Sequence, residues 1–135
     1  MALRVSKDRE VLYPVTAKML SDDGSGKAVD VTFKVKYKLL SRQELRDKLN
    51  VRMELTDDID SLREMIRKQS DPAELKKYDV WLAEHVTGWE DIQDENNNPM
   101  PFTAENYAAV MNIIPVATAI DAGLIKASQE EPVKN

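Results

Sequence analysis

Ala28-Val-Asp-Val-Thr-Phe-Lys-Val-Lys-Tyr-Lys38 is the stretch that decides the fold. Val29, Val31, Phe33, Val35 and Tyr37 alternate with Asp30, Thr32, Lys34, Lys36 and Lys38. Successive strand side chains point to opposite faces, so this spacing specifies a β-strand with one apolar and one wet, basic face. Immediately upstream, Val11, Tyr13, Val15, Ala17 and Met19 repeat the period of two. Pro14 has no N–H, which places this first strand at a sheet edge or starts it after the proline. Ser21-Asp-Asp-Gly-Ser-Gly26 between the two reads as a turn, because glycine takes positive φ freely. The two strands make a hairpin. An isolated hairpin is marginal in water, so helices from the rest of the chain must cover its apolar face.

Downstream, the period changes from two to about 3.6. Ser41 and Glu44 form a capping box and open a helix that puts Leu45, Leu49 and Met53 on one side. Thr56-Asp57-Asp58 starts another, with Ile59, Leu62, Met65 and Ile66 at helical spacing. Asp71-Pro72-Ala73-Glu74 opens a third, since proline at a first helical position gives up only an N–H that has no partner anyway. On it Leu75, Tyr78, Trp81, Leu82 and His85 share a face, and Gly88 is read as its end. Glu90 to Asn98 is polar and loop-like. Pro99 and Pro101 hold the backbone extended, and Thr103 with Glu105 caps the next helix, bearing Tyr107, Val110, Met111 and Ile114. Pro115 breaks that helix and opens the last, where Val116, Ala117, Ile120 and Leu124 continue the stripe to about Ala127. The expected fold is α+β and mostly helical: one domain over residues 1–135, an N-terminal β-hairpin packed against four or five helices. Residues 1–10 and 128–135 are expected to be flexible.

Composition excludes several functional classes. The 135 residues suit one domain that buries roughly two-thirds of its unfolded surface. A net charge of −5 argues against a general nucleic-acid binder, which needs a basic face to displace counterions. There is no cysteine, hence no disulfide, no thiolate nucleophile and no sulfur-ligated zinc. The charged N-terminus is not a signal peptide, and no apolar run approaches the length of a membrane span. A soluble domain is expected, with a cysteine count compatible with a reducing cytoplasm.

No cluster of residues declares a reaction. Asp94-Glu-Asn-Asn-Asn-Pro-Met-Pro-Phe-Thr-Ala-Glu105 brushes against the calcium-loop pattern, with acid or amide groups at its first, third and fifth places and glutamate at the twelfth. Its sixth place needs glycine and holds Pro99, so a solvated loop running into a helix cap is the better reading. His85 is the only histidine. A metal centre would have to recruit carboxylates around it without any recognisable spacing, and no nucleophile motif accompanies it, so it is read as a packed residue. Lys34, Lys36, Lys38 and Arg42 make a stripe able to touch phosphates. Exposed strand lysines more often discourage edge-to-edge sheet pairing, which is the preferred reading. No glycine-rich phosphate loop is present. No catalytic residue, metal ligand or cofactor site is therefore assigned. Trp81, Trp89, Phe102 and Tyr107 are the candidate partner-binding residues, because aromatics dominate binding hot spots. Their bland alternative is a place in the core. Trp89 or Phe102, both beside the loop, is expected to be partly exposed.

The order of two segments carries a resemblance. "VTFKVKYKLLSRQEL" (Val31 to Leu45) and "WLAEHVTGWEDIQDENNNPMPFTAENYAAVM" (Trp81 to Met111) resemble the tail assembly chaperones of long-tailed bacteriophages. The matching residues are Leu40, Ser41, Gly88, Trp89, Asp94, Pro99, Pro101, Phe102, Thr103, Glu105 and Asn106, within a likeness spanning about residues 28 to 127. Asn98 departs from the pattern, since related chains often carry glycine there; asparagine tolerates positive φ, so the turn is expected to be kept. The resemblance implies a non-enzymatic protein of the host bacterial cytoplasm. It implies binding to the tape measure protein and recruitment of the major tail (tube) protein, with absence from the mature virion. It also implies that a programmed frameshift can yield a longer product with a tube-binding extension. Self-association is expected because several copies would be needed along one tape measure. Nucleic acid and membrane are not expected partners. The alternative is a phage structural or head–tail joining protein retained in the particle.

Overall fold

The computed structural model describes residues 2–3, 5, 9–46, 79–130 and 132. Three strands, β1 (Glu10–Leu20), β2 (Ala28–Lys38) and β3 (Val86–Glu90), form an antiparallel sheet in the order β1-β2-β3. Two helices come after them, α1 (Ala104–Met111) and α2 (Ile114–Ser128), and residues 42–46 and 79–84 are also helical. Among the described residues about 36% are helical and 31% are in strands or bridges, so the mostly helical fold expected from sequence is corrected to a balanced α+β fold on a three-stranded sheet. The helix expected from Thr56, the first part of the one expected from Asp71, and Leu49, Met53, Leu75 and Tyr78 lie outside the described residues.

The hairpin forms in the register the alternation requires: Val15 faces Phe33, Tyr13 faces Val35 and Val11 faces Tyr37. Val15, Ala17, Phe33, Val35 and Tyr37 are buried on one face. On the other, the Thr16 and Thr32 hydroxyls meet at 3.0 Å and Lys36 pairs with Glu10 at 3.2 Å. Pro14 lies within β1, an edge strand of the sheet, where a missing N–H costs no ladder bond. The apolar face is not covered along its whole length. Val29 and Val31, at the start of β2, remain 41% and 40% exposed.

The third strand stands where helical spacing predicts the end of a helix. Helical geometry stops at Glu84, the His85 N–H bonds the Leu82 carbonyl, and Val86 to Glu90 pair with β2. Gly88 does not terminate a helix. It lies opposite Lys36, where an added Cβ would approach the lysine Cβ to 3.6 Å. The physical reason is the unmet hydrogen bonding of β2, which a β-branched and aromatic run such as Val86-Thr87-Gly88-Trp89 can satisfy.

Helix α2 lies on the sheet through Val116, Ile120, Gly123, Leu124 and Ala127, all buried. Close approach is possible because Gly123 has no side chain: a Cβ there would stand 2.9 Å from Val15 Cγ2 and collide with the Tyr37 hydroxyl. That hydroxyl donates to the Ile120 carbonyl at 2.7 Å, so the buried polar group is satisfied. Burial, with smaller contributions from Asp121, Tyr107 and Tyr13, pushes the Tyr37 phenol far above its ordinary range. Pro115 sits in the first turn of α2, and the axes of α1 and α2 bend by 106° at the break. Ile114, which spacing groups with the α1 stripe, instead starts α2 and is 80% exposed. No single helix among the described residues is long and apolar enough to cross a membrane. At the ends of the sheet, the Arg9 carbonyl accepts from Leu39 N–H, Arg9 pairs with Glu130, and Ser128 Oγ accepts from Leu40 N–H at 2.9 Å.

Candidate partner-binding site

The segment between β3 and α1 closes on itself. The Met100 N–H bonds the Ile92 carbonyl at 2.9 Å, and Gln93 bridges Pro99. At the tip, Asp94 Oδ1 accepts from the N–H groups of Asn96 and Asn98 at 2.8 and 3.0 Å. The residue that takes positive φ is Asn97, at 62°, one place before the Asn98 expected from the resemblance. Asp94 Oδ1 thus closes the turn onto its own backbone donors.

This closed loop carries one aromatic wall of the site. Trp89 leaves the end of β3 and donates its Nε1–H to the Met100 carbonyl at 2.8 Å. Phe102 packs edge-on against Trp89, with centroids 4.9 Å apart and planes at 88°, and Tyr107 lies 6.1 Å from Phe102. Edge-to-face pairs of this kind add roughly 0.5–1.5 kcal/mol beyond their buried area. The extended Pro99–Pro101 backbone delivers Phe102 to this place, and the helix start anchors the first turn of α1 beside it. Thr103 Oγ1 accepts from Asn106 N–H at 3.1 Å, and Asn106 Nδ2 reaches back to the Pro101 carbonyl at 2.8 Å. Phe102 stays 39% exposed while Trp89, Met100 and Tyr107 are half-buried, so the row presents apolar surface from a fixed backbone. Burial, then Asp79 and Asp121, push the Tyr107 phenol up to about 12. It therefore remains a neutral hydroxyl at physiological pH.

Trp81 does not join this row. Among the described residues its ring meets His85, with centroids 4.9 Å apart and planes tilted by 52°. His85 is buried, with Nδ1 at 2.9 Å from the Lys38 carbonyl and Nε2 at 3.2 Å from the Glu44 carboxylate. Glu44 is in turn held by Ser41, whose N–H donates to it at 3.0 Å and whose hydroxyl accepts from the Glu44 N–H at 3.2 Å. Partial burial pulls the Glu44 carboxyl upward. The Ser41 hydrogen bonds, then His85 and Lys38, outweigh it and hold the group below the usual glutamate value. The histidine thus clips the 42–46 helical turn to the end of β2. It is a buried residue set between the Lys38 carbonyl and the Glu44 carboxylate.

Of the four aromatic residues singled out from sequence, Trp89, Phe102 and Tyr107 lie side by side, and Trp81 packs against His85 instead. Sequence reasoning missed the Met100 carbonyl, the acceptor that fixes the Trp89 indole, because a backbone group leaves no signature in residue order. It also missed the pairing of His85 with Glu44, which is far from it in sequence. Among the described residues no group of three or more histidine, cysteine, aspartate or glutamate side chains is placed to hold a metal ion. Protein-family models, curated proteins and solved structures yield no match to this chain.

Proposed function

We propose that this protein is a phage tail assembly chaperone that binds apolar segments of the tape measure protein and helps recruit tail-tube subunits in the host cytoplasm. The observation that supports this reading is the Trp89–Phe102–Tyr107 row, half-exposed and held by the Met100 and Pro101 carbonyls. Aromatic side chains fixed before binding lose little freedom on contact, which favours capture of an amphipathic helix through its apolar face. The surrounding acidity of the chain keeps such a complex dispersed. The same segment carries most of the residues through which the sequence resembles the chaperone family. The reaction, on this reading, is association alone.

Co-expression with the tape measure protein of the same genome tests the proposal. The tape measure protein is expected to stay soluble beside the native chain and to precipitate beside Phe102→Ala, provided circular dichroism shows the variant folded. Unchanged solubility with folded Phe102→Ala removes the row as the binding site. Stoichiometric presence of the chain in purified virions would replace the chaperone by a structural component of the particle.

A further inference from the structure

The aromatic row stands in a part of the chain that has no fixed cation of its own. From Tyr78 to Ile125 there is no lysine or arginine and there are eight carboxylates, against a net charge of −5 for the whole chain, so the remainder is net positive. The fold keeps the two signs apart. Trp89 lies opposite Val35, which is buried, while Lys34 and Lys36 lie opposite Glu90 and Gly88. Neighbouring strand positions point to opposite faces, so Lys34, Lys36 and, across the hairpin, Lys18 belong to the sheet face away from Trp89. Carboxylates are distributed along the row itself. Asp79 and Asp121 stand near enough to Tyr107 to push its phenol upward. Glu105 is exposed in the first turn of α1, three positions after Phe102. Asp91 and Glu95, both exposed, lie on the closed loop that presents the Met100 carbonyl to Trp89.

We propose that the row selects its partner by charge: it takes an amphipathic helix whose apolar stripe is bordered by lysine or arginine, and it refuses one bordered by aspartate or glutamate. This selectivity rests on the reading that Trp89, Phe102 and Tyr107 are a docking site, and it names which helices the site accepts. Phe102, exposed between half-buried Trp89 and Tyr107, supplies the apolar centre. A bordering lysine or arginine lays its aliphatic stem along such a centre while its charged head reaches the carboxylates around it. A guanidinium can also sit over an aromatic face. Acidic borders bring like charges together, and the segment from Tyr78 to Ile125 has no lysine or arginine to offset them. Rim charges of this kind act on the rate of encounter and on the choice of partner more than on final affinity. A helix with uncharged borders would meet the same rings without that steering.

Two labelled helical peptides with the same leucine stripe, one bordered by lysine and one by glutamate, test this by fluorescence anisotropy against the full chain. The lysine peptide is expected to bind about tenfold or more tightly than the glutamate peptide. It should lose most of that advantage between about 50 mM and about 500 mM salt, as screening shortens the reach of the carboxylates. Asp91→Asn, Glu95→Gln and Glu105→Gln together should weaken the lysine peptide by roughly three- to tenfold. Asparagine tolerates the positive φ of residue 91, at 66°. The place of binding is read on the native chain, which has two tryptophans: the Trp89 indole N–H signal should shift in NMR on adding the lysine peptide, and the Trp81 signal should stay. The peptide pair, the salt series and the indole signals need no variant and decide the matter if the triple variant fails to fold. Equal binding of the two peptides, binding of neither, a stationary Trp89 signal or unchanged affinity in the folded triple variant overturns the proposal. Peptides that bind alike, beside a tape measure protein kept soluble through Phe102, sink the charge preference and leave the chaperone reading standing. Peptides divided by charge, beside a tape measure protein that precipitates, do the reverse.

Discussion

Replacing Gly123 by alanine sets two opposing effects against each other at one atom. In an isolated helix the change is favourable by roughly 1 kcal/mol, because glycine loses more backbone freedom on folding. Here the new methyl would stand 2.9 Å from Val15 Cγ2, 3.2 Å from Tyr37 Cζ and inside contact with the Tyr37 hydroxyl. Both neighbours belong to the core and cannot swing into solvent. Overpacking of this kind costs about 1–3 kcal/mol. Moving the phenol breaks its bond to the Ile120 carbonyl, at a further cost of about 1–2 kcal/mol for a buried donor left without its partner. The sum is a net loss of about 1–4 kcal/mol, or about 5–15 °C in Tm for a domain of this size. Urea unfolding followed by circular dichroism measures it. Tyr37→Phe alone should cost about 1 kcal/mol, yet in the Gly123→Ala background it removes the atom the methyl strikes. The double variant should therefore be more stable than the sum of the two single losses by about 1 kcal/mol or more. A Gly123→Ala protein as stable as the native one, or strictly additive changes, would refute the close approach of α2 to the sheet.

Three other substitutions or conditions have expected outcomes. Thr103→Ala removes the acceptor for Asn106 N–H and should lower stability by about 1 kcal/mol, read from the urea midpoint, with Thr103→Asp restoring it. Trp89→Ala loses the Met100 hydrogen bond and the Phe102 edge contact, and should cost about 2–4 kcal/mol while releasing the Phe102 ring to faster motion in NMR relaxation. Glu44 has a folded pKa below its ordinary value of 4.5, so its contribution is fully present above that pH and is lost as acidification passes through the lowered folded value. Stability measured from pH 6 downward should therefore fall less in Glu44→Gln than in the native chain across that window, and a parallel fall in both would separate Glu44 from the acid response.

The features legible in the sequence rest on strong local physics. The β1–β2 hairpin, the Ser41–Glu44 box, the Thr103 cap and the break at Pro115 each come from a short pattern whose meaning changes little with context. The third strand is not legible. Val86 to Glu90 is too short to show a period, and it comes directly after Leu82 and His85 at helical spacing, so Gly88 reads as a stop. Only the vacant hydrogen bonds of β2, a property of another part of the chain, decide that these residues extend. The exposure of Val29 and Val31 is equally hidden, since alternation marks an apolar face without saying how far a helix will reach along it. At the candidate site, residue types point to Trp89, Phe102 and Tyr107 individually. Their grouping depends on the Met100 and Pro101 carbonyls, and the separation of Trp81 depends on His85.

The sheet's lid arrives last. Val15, Phe33, Val35 and Tyr37 leave the ribosome well ahead of Ile120 and Leu124, the side chains that dry them. Until then the nascent hairpin carries an uncovered apolar surface, and the finished fold brings Arg9 to Glu130, far apart in the message. A stop codon or a change of reading frame upstream of Ala127 would thus release a polypeptide that cannot seal its own interior, fit mainly for proteolysis. Any module added at this end must be spliced on beyond that point.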